Sequence, residues 1–199
     1  MVGLLRKLVW GGIPGDGFVC RCSLAEAAIM KPSDQPICDC GVIGDEQSFC
    51  FGAPAPELWL AIPEAERETR VRLEADLCVI DRRDYFICGC LDLPIVGTTG
   101  VLRFLVWVSL SETNFNRAVE LWGTLGREAE PPYFGWLNTR LPGYPETLNL
   151  KTHVHTRPVG ERPAIELEPT GHPLAVDQRE GITPVRARDL VESMGQGGG

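Results

Sequence analysis

Strict alternation of apolar and polar positions is clearest between Thr147 and Glu168. Leu148, Leu150, Thr152, Val154 and Thr156 interleave with Asn149, Lys151, His153, His155 and Arg157. Period two is the signature of a strand with one buried face. A second alternating run, Arg162–Glu168, follows a Pro158-Val159-Gly160-Glu161 turn. Pairing the runs antiparallel from Arg157 and Arg162 sets Val154 against Ile165, Thr152 against Leu167, His153 against Glu166 and Lys151 against Glu168. Apolar then meets apolar and basic meets acidic. A one-residue slip would bring apolar against charged side chains, so the register is well specified.

Further strands are expected at Asp76–Asp81 and Tyr85–Ile95, with Arg82-Arg83 as the turn between them. Val101–Leu110 is apolar almost throughout, as suits a strand buried on both faces. Tyr133–Thr139 is an aromatic strand ahead of the turn Leu141-Pro-Gly-Tyr-Pro145. Helical spacing predicts a solvated helix over Pro63–Leu73, with charge pairs three and four residues apart. Ser111 caps a helix from Glu112 to about Leu125, whose apolar stripe is Phe115, Ala118, Val119, Trp122 and Leu125. His172-Pro173 opens a short helix that Gly181 stops. Thr183-Pro184 opens the last one, with Ala187, Leu190, Val191 and Met194 on its buried side. These elements predict an α+β fold, a mixed, largely antiparallel sheet with helices packed mainly on one side. Residues 38–194 form the single domain. Residues 1–37 are a Gly- and Cys-containing extension, with a capping box at Ser23 and Glu26 ahead of a short helix, and residues 195–199 are a disordered Gly-rich tail.

Composition narrows the function. The chain has 199 residues and a formal charge of −8, without a run of four Lys/Arg, which argues against a nucleic-acid partner. No apolar stretch approaches membrane-spanning length, and Arg6 and Lys7 interrupt the N-terminal apolar run, so neither a membrane partner nor export is expected. A cytoplasmic location follows, where the eight cysteines are reduced thiols. Nucleotide-loop, dinucleotide-fingerprint, zinc-protease and serine-hydrolase motifs are missing.

Three groups carry candidate chemistry. Cys20, Cys22, Cys38 and Cys40 can supply four thiolates to a structural Zn, although one intervening residue is short for a zinc knuckle and plain reduced thiols are the simpler reading. Cys88 and Cys90 share a strand face beside Cys78, and with Cys50 they read as core residues. Lys151, His153, His155 and Arg157 share the polar strand face, with Glu166 opposite. Two imidazoles and a carboxylate can hold zinc or iron, while the flanking cations oppose a metal and favour an anionic or polar ligand with Arg157 as bidentate donor. Asp177, Gln178, Arg179 and Glu180 read as a solvated helix end before they read as catalytic.

Longer motifs resemble a known family. Asp76-Leu-Cys-Val-Ile-Asp81, Val106-Trp-Val-Ser-Leu-Ser-Glu112, Glu130-Pro-Pro-Tyr-Phe-Gly-Trp136, Leu141-Pro-Gly-Tyr-Pro145 and Thr147 to His155 are five such motifs. Arg162-Pro163, Ile165-Glu-Leu-Glu-Pro-Thr170 and His172 to Ile182 continue the match. Together they make the chain similar, from about Cys38 to Val191, to the bacterial domain-of-unknown-function family 2199. The resemblance implies no assigned activity. Family members often carry Cys-x-x-Cys near the start, with Gly and then His following; here Cys38-Asp-Cys40-Gly41 stands there, with Gly44 at the His position. The favoured function is a non-catalytic binding module for a small polar or anionic ligand or a protein partner. A metal-dependent hydrolase built on His153, His155 and Glu166, and a structural or immunity-type protein, are the alternatives. These readings make no cofactor certain, and Zn is the candidate metal.

Overall fold

The computed structural model describes residues 37–38 and 49–195. Its nine strands are β1 (Ile37–Cys38), β2 (Phe49–Gly52), β3 (Val71–Leu73), β4 (Leu77–Ile80), β5 (Asp84–Pro94), β6 (Val101–Leu110), β7 (Tyr133–Leu137), β8 (Lys151–His155) and β9 (Ala164–Leu167). Five helices accompany them: α1 (Glu57–Leu60), α2 (Glu64–Arg70), α3 (Glu112–Glu120), α4 (Pro173–Glu180) and α5 (Pro184–Gly195). The fold class is α+β.

The sheet order is β1-β2-β6-β7-β8-β9-β5-β4-β3, and β5 also pairs with β6. Strands β5 to β9 therefore close on themselves into a barrel-like ring. The ring is antiparallel except at the β5–β9 seam, which is parallel and joined only at Cys90 and Ala164. The two long strands make this possible. β5 carries β4 along its first half and β9 beyond, while β6 carries β2 along its first half and β7 beyond.

Alternation sorts the side chains into two cores. Ile87, Leu91 and Leu93 of β5 join Val106 and Val108 of β6, Leu137, Val154, Ile165 and Leu167 in one buried cluster. All five ring strands contribute, so this cluster fills the enclosure. Helices α3, α4 and α5 add Phe115, Leu174, Ala175, Ala187 and Leu190. Each large side chain buried this way stabilises the fold by about 1.5–3 kcal/mol. The opposite faces of β5 and β6 supply Phe86, Cys88, Cys90, Leu105 and Trp107 to a second cluster with Cys50, Cys78 and Ile80. Ile62 and Trp59 of the α1–α2 segment pack against it. The helical segments thus feed two different clusters, rather than covering one side of an open sheet, because β6 is buried on both faces over most of its length, as its largely apolar sequence requires.

Glycine allows the ring to close. A Cβ at Gly89 of β5 would lie 2.5 Å from Ile165 Cδ1 and 2.8 Å from the Pro163 carbonyl. At Gly135 of β7 it would lie 2.5 Å from Val108 Cγ1 and 2.6 Å from the Ser109 carbonyl. Both positions face inward at close strand approaches, where no side chain fits.

Several expected boundaries shift. Helix α3 keeps its Ser111 cap, whose Oγ accepts from the Asn114 N–H at 3.2 Å, but stops at Glu120 rather than Leu125. Gly126 then turns at φ 83°, and Leu125 points outward, 88 % exposed. The helix expected over Pro63–Leu73 ends at Arg70, because Val71–Leu73 pairs with β4. The alternating segment becomes a strand only at Lys151. Before it, Thr147 is held as a turn, donating its hydroxyl to the Thr139 carbonyl at 2.8 Å and accepting the Leu141 N–H.

The β8–β9 register is the one the alternation predicts: Thr152 with Leu167, His153 with Glu166, Val154 with Ile165. The ladder ends at His155 and Ala164 and does not run on to Arg157 and Arg162. The loop between is gripped from below. Arg127, 4 % exposed, donates Nε to the Arg157 carbonyl at 2.6 Å, Nη1 to Trp122 at 2.7 Å, and Nη2 to Pro158 at 3.1 Å and Glu161 at 2.6 Å.

Candidate functional site

At the β5–β9 seam the strands part, and the space between them becomes a groove. Past the single Cys90–Ala164 pair, β9 has no strand neighbour on that side among the described residues. Gln178 of α4 substitutes for one: its Oε1 accepts the Leu167 N–H at 2.8 Å and its Nε2 donates to the Ile165 carbonyl at 2.7 Å. β5 continues instead to Ile182, whose N–H reaches the Pro94 carbonyl and whose carbonyl accepts from Val96. Helix α4 is wedged beside the seam, begun by His172, whose Nδ1 accepts the Leu174 N–H, and ended by Gly181.

The groove encloses about 390 Å³. Its polar rim holds Asp92, His155, Arg157, Glu166, Gln178 and Arg179, and Cys90, Ala164, Pro169 and Ala175 supply apolar surface. That volume lies within the range of small-molecule sites.

Arg103 of β6 faces Asp92 across the ladder and grips its carboxylate with both arms of the fork, Nε at 2.6 Å and Nη2 at 2.7 Å. The pairing raises the Arg103 pKa through the Asp92 hydrogen bond, against the opposing effect of burial. Arg157 Nη2 stands 3.7 Å from Asp92 Oδ2, beyond hydrogen-bond length. One carboxylate thus serves two guanidiniums, which leaves a positive charge at Arg157 with only this long contact among the described residues. Glu166 bonds His155 Nε2 at 2.7 Å, and Arg179 bonds its neighbour Glu180 at 2.8 Å. Cys90 is a weak candidate for a nucleophile. Burial pushes its thiol pKa up, overriding the nearby Arg103 charge.

Of the residues expected on the polar hairpin face, His155, Arg157 and Glu166 meet in this groove. Lys151 and His153 do not. Both turn to Glu168, Lys151 Nζ at 3.6 Å and His153 Nε2 at 3.8 Å, beside the half-exposed rings of Phe134 and Trp136. His153 is the ladder partner of Glu166, yet the carboxylate reaches diagonally to His155 instead, as strand twist permits. The three-ligand arrangement of His153, His155 and Glu166 is therefore not formed. Among the described residues no group of three His, Cys, Asp or Glu side chains can hold a metal ion. Cys20, Cys22 and Cys40 lie outside the described residues, as do the capping box at Ser23 and residues 196–199; of Cys38 only the backbone, in β1, is described. Cys50, Cys78, Cys88 and Cys90 are buried cysteines of the second cluster, as expected.

The cluster Asp177–Glu180 is more than a solvated helix end. Asp177 accepts the Tyr144 hydroxyl at 2.8 Å, Gln178 completes β9, and Arg179 lines the groove. Asp92 and Arg103 were open to detection, since each is the lone charge in a long apolar run. Arg127 carried no such signal.

Fold and site together define a barrel-like α+β domain with an open polar groove where its ring is seamed. The chain belongs to the family described as an uncharacterised protein conserved in bacteria, DUF2199, whose model matches residues 37–182. No curated protein and no solved structure matches it. Among the described residues no helix is long and apolar enough to cross a membrane.

Proposed function

We propose that this protein is a non-catalytic binding module of the bacterial cytoplasm that receives a small anionic ligand in the groove at the β5–β9 seam. Residues 38–194 form the binding domain, residues 1–37 an extension and residues 195–199 a tail. The observation that carries the reading is Arg157. It is a guanidinium inside a groove of about 390 Å³, held among the described residues only by a 3.7 Å contact to a carboxylate already engaged by Arg103. Buried or half-buried Arg forks without a close carboxylate are suited to receive one from a ligand. His155 and Glu166 close the rim through their 2.7 Å contact, and Lys151 and His153 extend the polar face beyond it. A binding role is favoured over hydrolysis because, among the described residues, no hydroxyl side chain lines the groove and burial pushes the pKa of its one thiol, Cys90, up.

The test compares wild type with Arg157→Ala in thermal-shift screening against a panel of organic and inorganic anions at low ionic strength. At least one anion raises the wild-type Tm and leaves the variant unmoved. Were every anion to move both proteins equally, or neither, the groove would not be the site.

A further inference from the structure

Building on that reading of the groove, we infer that its ligand is a planar monocarboxylate with a short apolar body, rather than phosphate or a polyanion. Charge count comes first. Asp92 is engaged by Arg103 at 2.6 and 2.7 Å, Glu166 by His155 at 2.7 Å, and Arg179 by Glu180 at 2.8 Å. Among the described residues one guanidinium of the groove, Arg157, is left to a ligand. A single positive charge neutralises one negative charge. A second or third charge on the same ligand would face the Asp92 and Glu166 carboxylates across the same groove without a cation to meet it, and like-charge contacts in a partly desolvated site are costly.

Shape comes second. The guanidinium fork presents parallel N–H donors that match the two coplanar oxygens of a carboxylate. Surroundings come third. Beside this charged end, Ala164, Pro169 and Ala175 offer alkyl surface and Cys90 a thiol that bonds only weakly to water. An inorganic anion would leave that surface against water. An alkyl or aryl body covers it, and each buried methylene strengthens binding by about fourfold at full burial.

The experiment is calorimetric titration of the full chain with straight-chain monocarboxylates from acetate to hexanoate, with succinate and inorganic phosphate alongside, repeated on Arg157→Ala. The association constant rises by about two- to fourfold per methylene, with the lower figure reflecting an open groove. Succinate and phosphate bind more weakly than butyrate, and Arg157→Ala lowers every carboxylate by at least about tenfold, as expected for loss of a charged hydrogen-bonding partner. If phosphate or succinate binds in an Arg157-dependent way while carboxylate affinity stays flat with chain length, the groove remains an anion site and this inference alone falls. If none of these anions binds the wild type, both fall.

Discussion

Replacing Arg127 by Met tests whether a buried cation holds the groove's wall in place. The side chain is 4 % exposed and makes four hydrogen bonds, all to backbone carbonyls, at 2.6 to 3.1 Å. It also lies 5.1 Å over the Trp122 ring. Among the described residues it has no carboxylate within ion-pair distance, and burial lowers its pKa from the ordinary arginine value. Hydrogen bonds from a charged donor contribute about 1.5–3 kcal/mol each, so four would sum to roughly 6–12 kcal/mol. Two effects reduce that figure. Met escapes the desolvation cost of several kcal/mol that a buried guanidinium bears. Pro158 and Glu161 are exposed, so their carbonyls regain water once released. The net loss expected is about 2–4 kcal/mol. It is read from the urea midpoint at constant m-value, with Arg127→Lys as companion. Lysine keeps the charge but cannot span acceptors in the fork's directions, so it recovers less than half. A loss below about 1 kcal/mol in the Met variant would refute the clamp.

Gly89→Ala drives a methyl group into Ile165 and the Pro163 carbonyl, and denaturant melts should show a loss of about 1–3 kcal/mol; an unchanged midpoint would mean the seam is loosely closed. Burial pushes the Cys78 thiol from 9.0 up to about 12. The unfolded chain sheds that proton first, so stability is full below pH 9 and falls between pH 9 and 12 by up to about 1.4 kcal/mol per unit. Cys90 and Tyr133, raised chiefly by burial, act in the same direction. Cys78→Val should make the alkaline decline in urea melts shallower, and an identical decline would contradict the assignment. The Thr152 hydroxyl is fully buried and has no hydrogen-bond partner among the described residues. Thr152→Val should therefore leave stability equal or raise it by about 1 kcal/mol, and a Tm drop of several degrees would show a partner for the hydroxyl.

Period-two patterning alone determined the β8–β9 register, because a half-buried strand permits only one alignment of its two faces. The sequence also marked β6, whose largely apolar run needs cover on both sides. Ser111, His172 and Gly181 marked helix ends because caps are local chemistry. The ring closure was not legible. It rests on one parallel pair between Cys90 and Ala164, residues far apart in sequence, and on the close approach that Gly89 allows. The groove exists only because β5 and β9 part beside α4, so the chain pattern could group Lys151, His153, His155 and Arg157 on one face but could not say which of them share a cavity. Arg127 is the plainest case. In sequence it is one more charge in a Gly-rich turn, and only the fold brings the Arg157, Pro158 and Glu161 carbonyls to its guanidinium, because backbone acceptors leave no trace in side-chain identity.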